Sequence, residues 1–123
     1  MRVGILGGTG PAGSALAARL ASIGYEVVVG SRSKYRAMET VDTLLERWPD
    51  RSLPIRAGDN AAAADQEIVV IATPWDGATQ TASSVQEHLS GKVVISMANA
   101  LTKLGQEFQP LVPPRGSVAA SVQ

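Results

Sequence analysis

The sequence predicts an α/β fold, a doubly wound parallel sheet with helices on both faces in three αβα layers. Three observations lead there. Short apolar runs at residues 2–6, 26–30, 67–72 and 93–95 alternate with helix-forming stretches, the pattern of parallel strands joined by crossover helices. The first run has too few polar residues for a one-faced strand and suits a central strand covered on both sides. A glycine-rich turn joins that run to an Ala/Leu-rich helix.

The turn runs Gly7-Gly8-Thr9-Gly10-Pro11-Ala12-Gly13. In the dinucleotide-binding pattern the first glycine, here Gly8, permits a tight turn. Gly10 lets the backbone approach a phosphate, and Gly13 lets the helix lie close to the strand. Ser14 to Ile23 are good helix formers, and Gly24 is placed to end the helix. The free N–H groups and dipole at its start favour an anion by about 0.3–1 kcal/mol per charge. Glycine-rich turns also occur as plain structural turns, but a strand before, a helix after and a second strand beyond favour a Rossmann-like NAD(P)-binding fold. Gly7, Gly10 and Gly13 satisfy a second glycine spacing as well, so the turn alone names no family.

The second strand, Glu26 to Gly30, bears on the choice of nucleotide. NAD binders place an Asp or Glu near its end to hold the ribose 2′-OH. Here the chain reads Gly30-Ser31-Arg32-Ser33-Lys34, with Arg36 just beyond. A carboxylate would repel a 2′-phosphate, whereas a hydroxyl and a guanidinium fork bind one. The expected cofactor is therefore NADP(H), with Ser31 and Arg32 as the principal contacts and Lys34 and Arg36 as further cations. A solvated basic loop is the bland alternative.

Residues 34–48 read as a second helix with Met38, Val41, Leu44, Leu45 and Trp48 as its apolar positions, ended by Pro49. Pro54 to Ala57 form a short third strand. Gly58 begins a turn into the alanine run 61–64, with Asp59 and Asn60 as helix caps. Residues 67–72 form the fourth strand, ending in Thr73-Pro74-Trp75, and a helix over 76–89 is closed by Gly91. Val93 to Ile95 form the fifth strand, leading into Ser96-Met97-Ala98-Asn99. Residues 100–116, with three prolines and two glycines, read as an irregular connection. Ser117 caps a final helix that reads as the start of a longer one. The crossover rule favours the strand order 3-2-1-4-5, with ligands at the carboxyl ends of the strands. That rim gathers Gly8 to Gly13, Ser31-Arg32, Thr73 to Trp75 and Ser96 to Asn99.

The 123 residues suffice for one nucleotide-binding domain with a real core. With 11 basic and 11 acidic residues the net charge is zero, which speaks against nucleic acid as a partner. There is no cysteine and one histidine, which excludes thiol chemistry, zinc–thiolate sites and a His-rich metal site. No apolar run reaches membrane-spanning length. Residues 1–24 read as strand, turn and helix rather than as a leader, so a cytoplasmic location is expected.

The combination of Gly-Gly-Thr-Gly-x-x-Gly at 7–13, Val-Gly-Ser-Arg at 29–32 and Thr-Pro-Trp at 73–75 resembles the NADPH-dependent reductases of the deazaflavin coenzyme F420. The resemblance runs over nearly the whole chain. It implies that Thr9 to Gly13 hold the pyrophosphate and that Ser31 and Arg32 hold the 2′-phosphate. It further implies that Ala72, Thr73, Pro74 and Trp75 line the nicotinamide and that Met97, Ala98 and Asn99 approach it from the next strand. Coenzyme F420 is then the second substrate, and the full-length form is expected to be a homodimer. The chain departs from the family in length. Its members carry a further segment that completes the deazaflavin site and the dimer.

The implied chemistry is direct hydride transfer between two cofactors, which needs the protein to position rings rather than to supply an acid/base pair. No catalytic side chain is therefore expected. His88 falls on a helix away from the strand ends, where a surface or capping role is simplest. Two other readings fit the same platform: an NADP-dependent imine or carbonyl reductase, and a non-catalytic NADP(H)-binding module.

Overall fold

The structure is a computed structural model describing residues 1–123. Five parallel strands form one sheet in the order β3-β2-β1-β4-β5, as the crossover rule predicts. They are β1 (Arg2–Leu6), β2 (Glu26–Ser31), β3 (Ile55–Asp59), β4 (Ile68–Ile71) and β5 (Val93–Ser96). The helices α1 (Pro11–Ser22) and α2 (Lys34–Arg47) cover one face. The other face carries α3 (Asn60–Ala64), α4 (Ala78–Ser84), α5 (Gln86–Leu89) and α6 (Val118–Val122).

The central strands β1, β2 and β4 contribute to both cores because side chains alternate across the sheet. Val27 and Val29 pack with Val3, Ile5, Ala17, Ala21 and Leu44 under α1 and α2. Val28 packs with Leu6, Ile71, Ala63 and Ala82 on the opposite side. This double burial is why β1, β2 and β4 read as continuous apolar runs. The edge strand β5 is different: Val93 and Ile95 are exposed on its uncovered face, and Met97 continues that line.

Several local expectations are corrected. Helix α1 begins at Pro11 rather than Ser14, since proline's fixed φ and missing N–H suit the first helical position. Strand β3 extends through Gly58 to Asp59, because both pair with β2 at Gly30 and Ser31. In α2 the buried positions are Ala37, Val41 and Leu44, while Met38 and, just past the helix end, Trp48 are half-exposed. The single helix expected over 76–89 is broken into a 3-10 turn at Trp75–Gly77, then α4 and α5. The break between α4 and α5 falls at Val85, whose side chain turns into the core. Residues 100–116 are not wholly irregular. They contain an antiparallel hairpin, β6 (Leu101–Leu104) and β7 (Glu107–Pro110), turned by Gly105 at φ 62°. Pro110 faces Leu101 in a non-hydrogen-bonded pair, so its missing N–H costs no ladder bond, and the Leu111 N–H donates to the Ala100 carbonyl at 2.8 Å just beyond it. Ser117 does cap α6, its hydroxyl accepting the Ala120 N–H at 3.0 Å.

Candidate functional site

The rim at the carboxyl ends of the strands is tied together by an extension of the sheet's own ladder. The Gly8 N–H donates to the Gly30 carbonyl at 2.8 Å, the Ala72 N–H to Leu6 at 3.0 Å, and the Met97 N–H to Ile71 at 3.0 Å. The loops after β1, β2, β4 and β5 are therefore held side by side along one edge.

Three glycines shape the loop after β1. The tight turn is made by Gly7, at φ 65°, and not by Gly8 as expected. A β-carbon on Gly7 would also meet the Thr73 side chain at 2.6 Å. Gly13 lies against Gly8, so that the α1 backbone packs directly on the turn. Gly10 caps α1 with extended backbone and no side-chain hydrogen bond, and a β-carbon on it would meet nothing within 4 Å. With Pro11 lacking a donor, the Ala12 and Gly13 N–H groups make no hydrogen bond to the chain. The result is an open cradle with two free amides at the positive end of a twelve-residue helix.

The loop after β2 supplies charge. Ser31 is buried, and its hydroxyl accepts the Ser33 N–H at 3.2 Å, leaving its own proton free to donate. Ser33 caps α2 by accepting the Arg36 N–H at 3.5 Å. Arg32, Lys34 and Arg36 are exposed, and none is paired with a carboxylate. Three cations and a hydroxyl thus stand where an NAD binder carries an acid.

The loop after β4 holds an orphan. The Thr73 hydroxyl oxygen is buried with no hydrogen-bond partner, a state that native proteins largely avoid. Beside it, Pro74 is exposed and Trp75 is half-exposed, its indole N–H donating to the Leu101 carbonyl at 3.1 Å. After β5, the Ser96 hydroxyl accepts the Ala98 N–H at 3.3 Å and so serves the backbone. Asn99 is exposed.

NADP(H) fits this edge on the structure's own terms. The cradle at Gly10 is open, two amides and three cations lack partners, and a buried hydroxyl awaits one. Asn60 was missed as a contributor. It is not a second cap: Asp59 caps α3 by accepting the Ala62 N–H at 2.8 Å, and Asn60 Oδ1 accepts the Gly7 N–H at 3.2 Å. Two adjacent Asx residues before one short helix were the available signal, since only one of them can hold the cap.

A groove of about 1260 Å³ lies elsewhere, between α4–α5 and α6. Ser96 is its only rim residue. The rim, and not this groove, is the candidate site, because a dinucleotide lies across the carboxyl edge of an open parallel sheet. His88 is away from the rim, with Nδ1 2.7 Å from Asp65 Oδ1. The hydrogen bond from His88, chiefly, holds the Asp65 carboxyl below its ordinary value of 3.8, aided by the charges of His88 and Lys92 and opposed by desolvation.

Fold and rim together define a Rossmann-like α/β protein of the dinucleotide-binding class. Residues 2–100 match the model of the family described as NADP oxidoreductase, coenzyme F420-dependent, and the chain belongs to that family. An F420-dependent NADP reductase of Methanocaldococcus jannaschii is 35% identical over 100% of this chain and 57% of its own length. One from Methanothermobacter marburgensis is 38% identical over 77% of this chain and 43% of its own length. The chain thus spans about half the length of the curated relatives it matches. Among solved structures, a candidate F420-dependent NADP reductase from Arthrobacter sp. FB24 superposes with a TM-score of 0.80 at 26% identity, over 100% of this chain and 56% of that one. Synechocystis arogenate dehydrogenase shares the fold, with a TM-score of 0.65 at 24% identity over 86% of this chain and 36% of that one.

Proposed function

We propose that residues 1–123 form the NADP(H)-binding domain of an oxidoreductase that passes a hydride between NADP(H) and coenzyme F420. The observation that carries this reading is the pairing of two features on adjacent loops. One is a cradle with free amides at Gly10–Gly13. The other is the Ser31-Arg32 pair, with Lys34 and Arg36 nearby and no acid.

When both cofactors are bound, NADPH gives its hydride to the oxidised deazaflavin, which also takes up a proton from solvent, leaving NADP⁺. The chain's own residues bind and orient. Gly8, Thr9, Gly10, Pro11, Ala12 and Gly13 take the pyrophosphate on backbone amides and the helix dipole. Ser31 and Arg32 read the 2′-phosphate, and Lys34 and Arg36 add attraction. Ala72 to Trp75 wall the nicotinamide, where the Thr73 hydroxyl gains a partner. Met97 to Asn99 approach from β5. No side chain is assigned an acid or base step, since positioning the two rings supplies the rate. The reading places the enzyme in the cytoplasm as a homodimer. No helix is long and apolar enough to cross a membrane, and the uncovered apolar face of β5 offers a surface to a second copy.

The test is a calorimetric titration of NADPH against NADH, followed by addition of F420 and observation of its visible absorbance. Tighter binding of NADPH than of NADH is expected of residues 1–123, and bleaching of the deazaflavin is expected of the full-length protein. NADPH binding with reduction of an imine but no bleaching moves the assignment to an imine or carbonyl reductase. Binding with no hydride transfer to any acceptor reduces it to an NADP(H)-binding module.

A further inference from the structure

We infer that Asn60 is a positioning residue for the dinucleotide turn, holding the Gly7 peptide in the geometry from which the turn meets a pyrophosphate. This rests on the reading of the turn given above. Asn60 opens α3 and lies 53 positions from Gly7 in sequence, yet its Oδ1 accepts the Gly7 N–H at 3.2 Å. The donor is an N–H, so the atom facing it is the amide oxygen, which sets the orientation of the side chain. Asn60 is 8% exposed, so water has little access to replace it as the partner.

Three features show that the contact serves the turn and not the helix. The α3 cap is already made by Asp59. Gly7 holds a left-handed φ of 65°, and an amide in that position without an acceptor would be costly to keep out of water. The neighbouring strand also leaves room for the clamp. A β-carbon on Gly30 would stand 3.1 Å from Asn60 Oδ1 and 2.7 Å from Ala63 Cβ. The Gly30 carbonyl meanwhile accepts the next amide of the turn, that of Gly8. Two successive N–H groups are thus taken by Asn60 and Gly30, and the amides of Ala12 and Gly13 are left for a ligand.

The experiment measures Gly7 amide hydrogen exchange by NMR, and NADPH and NADH binding by calorimetry, in the native chain, Asn60→Ala and Asn60→Asp. If the native chain does not bind NADPH, the reading of the turn fails, while Gly7 exchange still tests the clamp. In Asn60→Ala, Gly7 should exchange faster and both nucleotides should bind more weakly by the same factor, roughly tenfold. Asn60→Asp keeps the acceptor oxygen and should keep Gly7 exchange slow. A purely structural role would lower Tm without singling out Gly7. Slow Gly7 exchange with native affinity in Asn60→Ala overturns the inference. So does fast Gly7 exchange in Asn60→Asp, which decides the matter alone should Asn60→Ala fail to fold.

Discussion

A β-carbon on Gly13 would stand 2.8 Å from the Gly8 Cα, so α1 rests on the glycine turn backbone to backbone. Gly10, three residues earlier, would meet nothing within 4 Å. The two glycines answer to different partners, the fold for Gly13 and a ligand for Gly10. Gly13→Ala should lower stability by about 1–3 kcal/mol, the cost of forcing atoms into a packed contact. Gly10→Val should leave the thermal unfolding midpoint near native while abolishing measurable binding of both NADPH and NADH. Unchanged binding by Gly10→Val in calorimetry would show that the cradle does not receive the pyrophosphate.

Arg32 stands free of any carboxylate beside the buried Ser31 hydroxyl. Arg32→Ala should weaken NADPH by roughly 1.5–3 kcal/mol, the range of a charged hydrogen bond, and change NADH little. Parallel titrations of the two nucleotides check this. Equal losses would mean that the guanidinium does not read the 2′-phosphate.

The orphaned Thr73 hydroxyl gives a prediction with two signs. Thr73→Val keeps the shape and removes a buried oxygen that has no partner. The unliganded protein should gain stability, on the order of 1 kcal/mol, because the desolvation penalty disappears. Affinity for NADPH should fall at the same time, since the hydroxyl is then missing from the bound state. Thermal unfolding with and without NADPH measures both effects. A variant less stable without ligand would show that the hydroxyl is satisfied in solution.

The Asp65–His88 contact sets an acid-side dependence. A carboxylate held below its ordinary 3.8 stabilises the fold fully above that value. The unfolded chain takes up the proton first as pH falls, so this stability is lost progressively until the folded carboxyl is also protonated. Urea midpoints followed from neutral pH to below 3.8 should therefore fall more steeply for the native chain than for His88→Ala. Identical slopes would remove the ion pair as a contributor to acid stability.

Much of the fold was legible because its signals are local. Continuous apolar runs mark strands buried on both faces, and the crossover rule then orders them. The turn at 7–13 and the Ser31-Arg32 pair were legible for the same reason: a loop that follows a strand and opens a helix carries its purpose in consecutive residues. The hairpin at 101–110 was hidden by Gly105, Pro110 and the prolines that follow, which mark irregular chain more often than a tight turn and a strand end. The break at Val85 was hidden because residues 76–89 hold no proline or glycine inside the helix beyond Gly77. There, burial of one valine outweighs helical continuity.

What the sequence by itself determined was the parallel α/β architecture, the glycine turn and the positive charge that follows β2, since each depends on neighbours along the chain. Tertiary structure alone decided that Gly7 makes the turn, that Asn60 holds it, and that the Thr73 hydroxyl lacks a partner. These depend on which strands lie side by side, and the Asn60–Gly7 hydrogen bond spans 53 residues. An asparagine at a helix start is locally a cap, and only the packing of α3 against β1 and β2 turns its side chain toward the turn.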